Sequence, residues 1–349
     1  MGNDAQLEQY LDKKNTQDPE SMEKNSLGAP KSRNEETQET QLTAQDRLRQ
    51  EAVDFRDRLR KQNVELEPIQ KGWGPFQVLE QMVKDKKIIL TEEQVLEESR
   101  RIRDRDFKDN ARNYYSQNER SMRWSESEID RKVQELSQKV RGIDVSQWQA
   151  DVDWKKVKES GIEFAFMRAS RGKDYVDPKF VQNRSGALDA GMRIGYYHYF
   201  KPGDPTQDQV NVFVNAIGKP DDGSLRLVID TEDAKQWAPF THEERIKKIE
   251  DWCKGVEAAL GKKPTISIYG SPNFFDESLK NDARLAKYDL WIANYNVGEP
   301  RVPKPWNNWT FWQYSETGRV PGINGNVDLN LYNGNDLGKA FRPTSKSKR

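Results

Sequence analysis

The chain has 349 residues, 33% of them charged, and its 57 basic and 57 acidic side chains balance to no net charge. That balance gives no broad basic face for nucleic acid. The single Cys253 excludes an internal disulfide and a cysteine-rich metal site, two histidines argue against a structural zinc cluster, and no apolar run reaches the length of a membrane span.

Residues 1–42 are polar, with Tyr10 the only aromatic, and read as a disordered segment. The opening stretch has no apolar core of the kind a secretory signal needs, and Gln6 stands where a myristoylation signal wants Ser or Thr. The expectation is a protein made in the cytoplasm and released by lysis or pores, or carried on a phage-like particle.

Residues 43–140 read as a helical extension. Thr43 with Asp46 resembles a helix start, and Leu48, Ala52, Phe55 and Leu59 follow as one stripe at helical spacing. A Gly-rich turn at Lys71–Gly74, a short amphipathic stretch to Met82 and a second start at Thr91 and Gln94 faintly resemble a LysM-type wall-binding repeat over residues 70–104. A plain helical spacer is the favoured reading there. Ser125 and Glu128 open a last helix with Ile129, Val133, Leu136 and Val140 on one face.

At Arg141 the character changes, and eight of the ten tryptophans lie beyond it. Short apolar runs follow at Gly142–Ser146, Phe164–Ser170, Arg193–Phe200, Leu225–Asp230, Thr265–Tyr269, Leu290–Tyr295, Thr310–Tyr314 and Val327–Leu331. Amphipathic stretches separate the earlier ones. The clearest starts at Thr241 with Glu244 and stops at Gly261. Such alternation predicts an α/β fold with a parallel sheet. The later connections are too short for full helices, so the expected architecture is an irregular TIM-like (β/α) barrel with helices missing between the last strands. Residues 336–349 form a basic tail.

The run Leu225–Ile229 ends in Asp230-Thr231-Glu232. Side chains alternate along a strand, so Val228, Asp230 and Glu232 point the same way. In a barrel, two acids would then meet at the mouth, where such folds keep their chemistry, and paired carboxylates suit glycoside hydrolysis. A lone Asp-x-Glu is more often a surface loop. Other strand ends also supply polar or aromatic groups: Asp144, Arg168, Tyr196 and His198, then Tyr269, Asn294 and Tyr295, Trp312 and Gln313, and Asp328. Polar groups at nearly every strand end imply a mouth lined for a polar ligand.

The stretches Asp144-Val-Ser-Gln-Trp-Gln, Phe-Met-Arg168-Ala-Ser, Gly-Tyr-Tyr-His198-Tyr-Phe, Val-Ile-Asp230-Thr-Glu232, Leu-Trp291-Ile-Ala-Asn-Tyr295, Phe-Trp312-Gln-Tyr and Val-Asp328-Leu-Asn occur in that order. Over about residues 141–335 they resemble glycoside hydrolase family 25, the Chalaropsis-type lysozymes or N-acetylmuramidases. The resemblance implies a compact eight-stranded barrel that cleaves the β-1,4 bond from N-acetylmuramic acid to N-acetylglucosamine in peptidoglycan. It implies Glu232 as proton donor, Asp230 as the partner that steadies charge or orients the substrate acetamido group, and Asp144 and Asp328 as further acids of the cleft. Tyr196, His198, Arg168, Tyr269, Asn294, Tyr295, Trp312 and Gln313 are expected to touch substrate, Tyr196 and Trp312 foremost as stacking platforms. Trp148, Trp154, Trp237, Trp252 and Trp291 are expected to be packing, and Cys253 a buried hydrophobe. No metal or cofactor is implied, and a monomer is expected.

Two rival readings remain. A chitinase-type barrel also ends a strand in Asp-x-Glu, but wants aspartates where this chain has Leu225, Leu227 and Val228. A non-catalytic wall-binding or virion structural protein with a vestigial barrel would be expected to lose Asp230 or Glu232, and both are present.

Overall fold

The computed structural model describes residues 92–117, 124–218, 226–261 and 264–340. The polar segment 1–42, the Thr43 helix start and most of the LysM-like stretch lie outside the described residues. A helix α1 (Glu92–Gln117) is followed by α2 (Glu126–Ser137), which begins on the expected capping box: Ser125 accepts the Glu128 N–H, and Glu128 reaches back to Ser125.

The strands are β1 (Val140–Val145), β2 (Phe164–Arg171), a two-residue β3 (Tyr175–Val176), β4 (Arg193–Tyr199), β5 (Arg226–Asp230), β6 (Thr265–Gly270), β7 (Asp289–Ala293), β8 (Phe311–Gly318) and β9 (Val327–Tyr332). Helices α3 (Trp154–Glu159), α4 (Phe180–Asp189), α5 (Thr206–Ile217), α6 (Ala234–Trp237) and α7 (His242–Leu260) fall among the earlier strands, and α8 (Leu337–Ala340) follows the last. The sheet runs β1-β9-β8-β7-β6-β5-β4-β2, and β1 pairs with β2 to close it into an eight-stranded barrel. β3 only hairpins onto β2. Helix α7 carries both signals read in the sequence, the Thr241–Glu244 capping box and Gly261 in the left-handed region at φ 63°.

The late strands lack crossover helices, as expected, and in one respect the sheet departs from the parallel expectation. β9 is antiparallel to both β8 and β1. A parallel return needs a crossover of roughly a dozen residues or more, and only residues 319–326 separate β8 from β9. The short link turns the chain straight back.

The barrel interior is an aromatic core rather than a pore. Phe166 stacks on Trp291 at 4.4 Å and meets Phe311 edge-on at 5.0 Å, with Phe164 beside them. Gly142 and Gly195 make room for these rings. A Cβ on Gly142 would lie 2.3 Å from the Phe164 ring, and one on Gly195 2.5 Å from Phe166. At the bottom, Arg226 donates Nε to the Ala340 carbonyl and pairs with Asp289, so α8 closes that end. The chemistry is left to the other mouth.

Helices α1 and α2 cover the outer sheet face where crossover helices are missing. Phe107 of α1 packs on Tyr314 at 5.1 Å and Trp312 at 6.3 Å, both on β8, while Arg141 of β1 lies over its ring. Gly298, in the loop after β7, lets α1 approach closely: a Cβ there would meet the Ala111 carbonyl at 2.9 Å.

Candidate active site

A cavity of about 520 Å³ opens at the C-terminal mouth of the barrel. Asp144, Arg168, Arg171, Tyr197, Tyr199, Lys201, Asp230, Glu232, Gln236 and Asp328 line it, and the exposed Trp148 lies on its rim. The four acids anticipated from the sequence therefore share one cleft. Asp144 and Asp328 sit directly opposite each other on antiparallel β1 and β9. Asp230 ends β5, Thr231 turns away to bond the Tyr269 carbonyl, and Glu232 projects back over the opening.

A buried amide network fixes the acids. Gln313 accepts hydroxyl protons from Tyr269 (2.7 Å) and Tyr295 through Oε1. Its Nε2 donates to Asp144 (2.8 Å) and Asp328 (3.3 Å). Asn330 donates to Asp144 at 2.7 Å and accepts Trp291 Nε1–H at 2.8 Å. Each amide is thus orientated by donors on one side and turned with its N–H groups toward carboxylates on the other.

Burial raises every one of these four carboxyls, and like charge adds to it at Asp230, Glu232 and Asp328. Burial lifts Asp144, opposed by hydrogen bonds from Asn330 and Gln313. Burial and then the Asp144 charge push Asp328 up to about 9. Burial and then Glu232 raise Asp230, while Arg168 acts the other way. Glu232 is open to the cleft mouth, yet loss of water around its carboxyl and the Asp144 charge raise it too. Glu232 is the acid with the weakest support: its contact with the Tyr269 hydroxyl is 3.5 Å, and that hydroxyl's single proton lies nearer Gln313. Asp230 accepts the Glu232 N–H at 3.3 Å and has Arg168 nearby.

The Asp328 shift has a consequence for stability. Its folded value of about 9 exceeds the ordinary value of about 4, so its contribution favours folding at low pH and is lost as pH rises through about 9. Asp328→Asn removes that loss. Between about pH 6 and about pH 9.5, the melting temperature of the variant should fall less steeply than that of the wild type in a thermal-shift titration. Parallel curves would show that Asp328 is not held neutral by its neighbours.

Five of the expected binding residues fall into three groups. Arg168 lines the cleft and also pairs with buried Asp177 at 2.8 Å. Tyr269, Tyr295 and Gln313 stand behind the acids as their scaffold. Asn294 faces away, its Oδ1 accepting the Arg301 N–H at 3.0 Å.

Tyr196, His198 and Trp312 correct the sequence expectation, because none of them faces the cleft. Each is 0% exposed on the outer face of the sheet, under the helices. Tyr196 packs on Phe180 of α4 at 5.2 Å. His198 stacks on Trp252 of α7 at 5.7 Å, bridges Ser170 and Gln209, and is kept neutral by burial, which lowers it to about 4. Trp312 donates Nε1–H to the Asn294 carbonyl and packs against α1.

The cleft takes the alternate residues instead. Tyr197 is in register with Val228, and Tyr199 with Asp230, so both share the inward face. Trp148, expected to be packing, is 76% exposed on the rim. It rides a one-turn 3₁₀ helix (Gln147–Gln149) that holds its shape through a Ser146–Gln149 capping box, a bond from Gln147 N–H to Asp177 and one from the Tyr175 hydroxyl to Gln147.

The family model described as Glycosyl hydrolases family 25 matches residues 143–323. The chain is 35% identical over 202 residues to the uncharacterized protein YegX of Escherichia coli O157:H7, covering 56% of this chain and 71% of that one. It is 33% identical over 201 residues to Lysozyme M1 of Streptomyces globisporus, covering 56% and 68%. The crystal structure of the bacterial lysozyme from Streptomyces coelicolor superposes with a TM-score of 0.54 at 32% identity, over 57% of this chain and 94% of that one.

Proposed function

The chain belongs to glycosyl hydrolases family 25 and is a peptidoglycan hydrolase of the muramidase type, and on that premise we propose how its cleft divides the chemistry. Glu232 holds the catalytic proton and delivers it to the glycosidic oxygen as the bond from N-acetylmuramic acid to N-acetylglucosamine breaks. Asp230 stays ionised and steadies the positive charge that develops at the anomeric carbon, or orients the acetamido group that attacks it. Asp144 and Asp328 share a proton beside them and keep the cleft polar but short of full ionisation.

The observation that carries this reading is the unequal support of two raised acids. With both lifted, and the Glu232 charge acting on Asp230, the pair is expected to hold one proton near neutral pH. Asp230 is the more deeply buried and is raised further, by burial and then by the Glu232 charge. That second cause vanishes once Glu232 is neutral, and the N–H donor and Arg168 nearby then favour its charged form. Glu232 has only a 3.5 Å hydroxyl contact and the Asp144 charge against it, which favour its neutral form. A carboxylic acid that stays protonated near neutral pH is what a poor leaving group requires.

Trp148 is proposed as the sugar platform in place of Tyr196 and Trp312. An indole left so open, on a turn this well fixed, suits a flat apolar sugar face. The balanced charge supports the further reading that no nucleic acid is involved, and among the described residues no helix is long and apolar enough to cross a membrane.

Reducing-end analysis tests the bond assignment. Digests of purified peptidoglycan, reduced with borohydride and analysed by mass spectrometry, should carry muramitol at the new ends. Glucosaminitol at those ends would assign the opposite bond and overturn the subsite order.

A further inference from the structure

Three cations line the cleft, and only one of them has a carboxylate partner. Arg168 is committed to Asp177 through Nε and Nη2, both at 2.8 Å. Arg171 and Lys201 line the same cavity with no ion pair to any described acid. The Arg171 Nε is buried with no hydrogen-bond acceptor. An orphaned buried donor of this kind costs free energy unless something completes it.

The Arg171 side chain and the Lys201 backbone are held in place. The Arg171 guanidinium lies over the Tyr175 ring at 4.8 Å, and the Tyr175 hydroxyl is tied to Gln147 at 2.6 Å. Gln209, which His198 orients at 3.0 Å, clamps the Lys201 backbone on both sides: Lys201 N–H donates to it at 2.9 Å, and it donates to the Lys201 carbonyl at 2.8 Å. The Lys201 chain runs past Gly172, where a Cβ would meet Lys201 Cδ at 3.0 Å, so it passes beside the residue that follows Arg171. Neutralising the catalytic acids does not account for this edge. Those acids are relieved by protons and amides, and neither Arg171 nor Lys201 pairs with one.

We propose that Arg171 and Lys201 form a carboxylate-reading edge that recognises the acid carried on the 3-O-substituent of a muramic residue. The inference rests on the peptidoglycan reading above and deepens it. N-acetylglucosamine is neutral, whereas the muramic substituent ends in a carboxylate: the lactyl group itself when bare, or the stem peptide when one is attached. A forked guanidinium beside a flexible ammonium suits such an anion, and completing the Arg171 donor set on binding gives the enzyme a reason to prefer the acid-bearing strand.

The test uses the full chain and two glycan preparations, one with stem peptides intact and one stripped by an amidase to bare lactyl groups. Part of each is converted to neutral carboxamides with carbodiimide and ammonia. Initial rates at low substrate are compared for the wild type, for the double variant Arg171→Gln with Lys201→Met, and for Lys254→Met, a solvent-facing control on α7. The wild type should favour the acid over the amide form by about tenfold, the scale of one charge-assisted hydrogen bond. The double variant, still folded by circular dichroism, should lose most of that preference, and Lys254→Met should keep it. A preference confined to intact strands assigns the anion to the peptide, and one seen on stripped strands assigns it to the lactyl group. No preference in the wild type, or one retained by the double variant, would overturn the proposal. Failure of the wild type to release reducing ends from any preparation would instead remove the peptidoglycan reading beneath it.

Discussion

Glu232→Gln should lower turnover on peptidoglycan by about 10²–10⁴-fold, the range general acid help supplies, with the upper end expected because a sugar alkoxide leaves poorly. The amide keeps the size of the side chain but has no proton to give. Stability near neutral pH should fall little or rise, since one of several crowded acids is removed. Wild-type activity should fall as pH rises through the elevated Glu232 value, because the required form is the protonated one. The residual activity of the variant should lack that alkaline fall. Asp230→Asn should also be severe, and the double variant should cost less than the product of the single losses, because both groups serve one transition state.

Much of this arrangement is legible in the sequence. The strand Arg226–Asp230 is buried throughout and ends at the cleft, with Glu232 open to its mouth. The caps of α2 and α7 fall where Ser125, Thr241 and Gly261 place them, because capping is a local matter of side chain and backbone. Side-chain direction on β4 and β8 was harder. Tyr196, Tyr197, His198 and Tyr199 put aromatic or polar groups on both faces of one strand, so the pattern alone does not name the inner face. Gly195 does, since its missing side chain makes room for Phe166 inside the barrel, and its parity is that of Tyr197 and Tyr199. On β8 the conflict was visible in principle: adjacent Trp312 and Gln313 cannot both face the cleft. Gln313 belongs to the acid network and Trp312 to the outer layer. The exposure of Trp148 is not legible in the sequence, because it depends on a turn anchored to Tyr175 of β3 and to Asp177 just after it, about thirty residues along the chain.

Phe107→Ala should destabilise the protein by about 3–5 kcal/mol, the usual cost of deleting a buried phenyl ring from a packed core. Phe107 is 5% exposed and contacts Trp312, Tyr314 and Arg141, so its loss opens a cavity between α1 and the barrel wall. We propose on this basis that α1 and α2 fold with the barrel as one unit. The change of composition at Arg141 then marks where the sheet begins, since β1 starts at Val140, rather than where packing ends. Urea unfolding checks the expectation. A loss below about 1 kcal/mol, with a fragment from residue 138 onward as stable as the full chain, would make the helices a dispensable extension.

The sharpest test of the division between Glu232 and Asp230 is the leaving-group dependence of their variants. Rates of the wild type, Glu232→Gln and Asp230→Asn are measured on one muramyl donor carrying either a sugar leaving group or a nitrophenol acidic enough to depart unprotonated. Glu232→Gln should be strongly impaired with the sugar and nearly restored with the nitrophenol, while Asp230→Asn should be impaired with both. Equal impairment of Glu232→Gln on the two substrates, with rescue of Asp230→Asn by the nitrophenol, would place the catalytic proton on Asp230 and contradict the account.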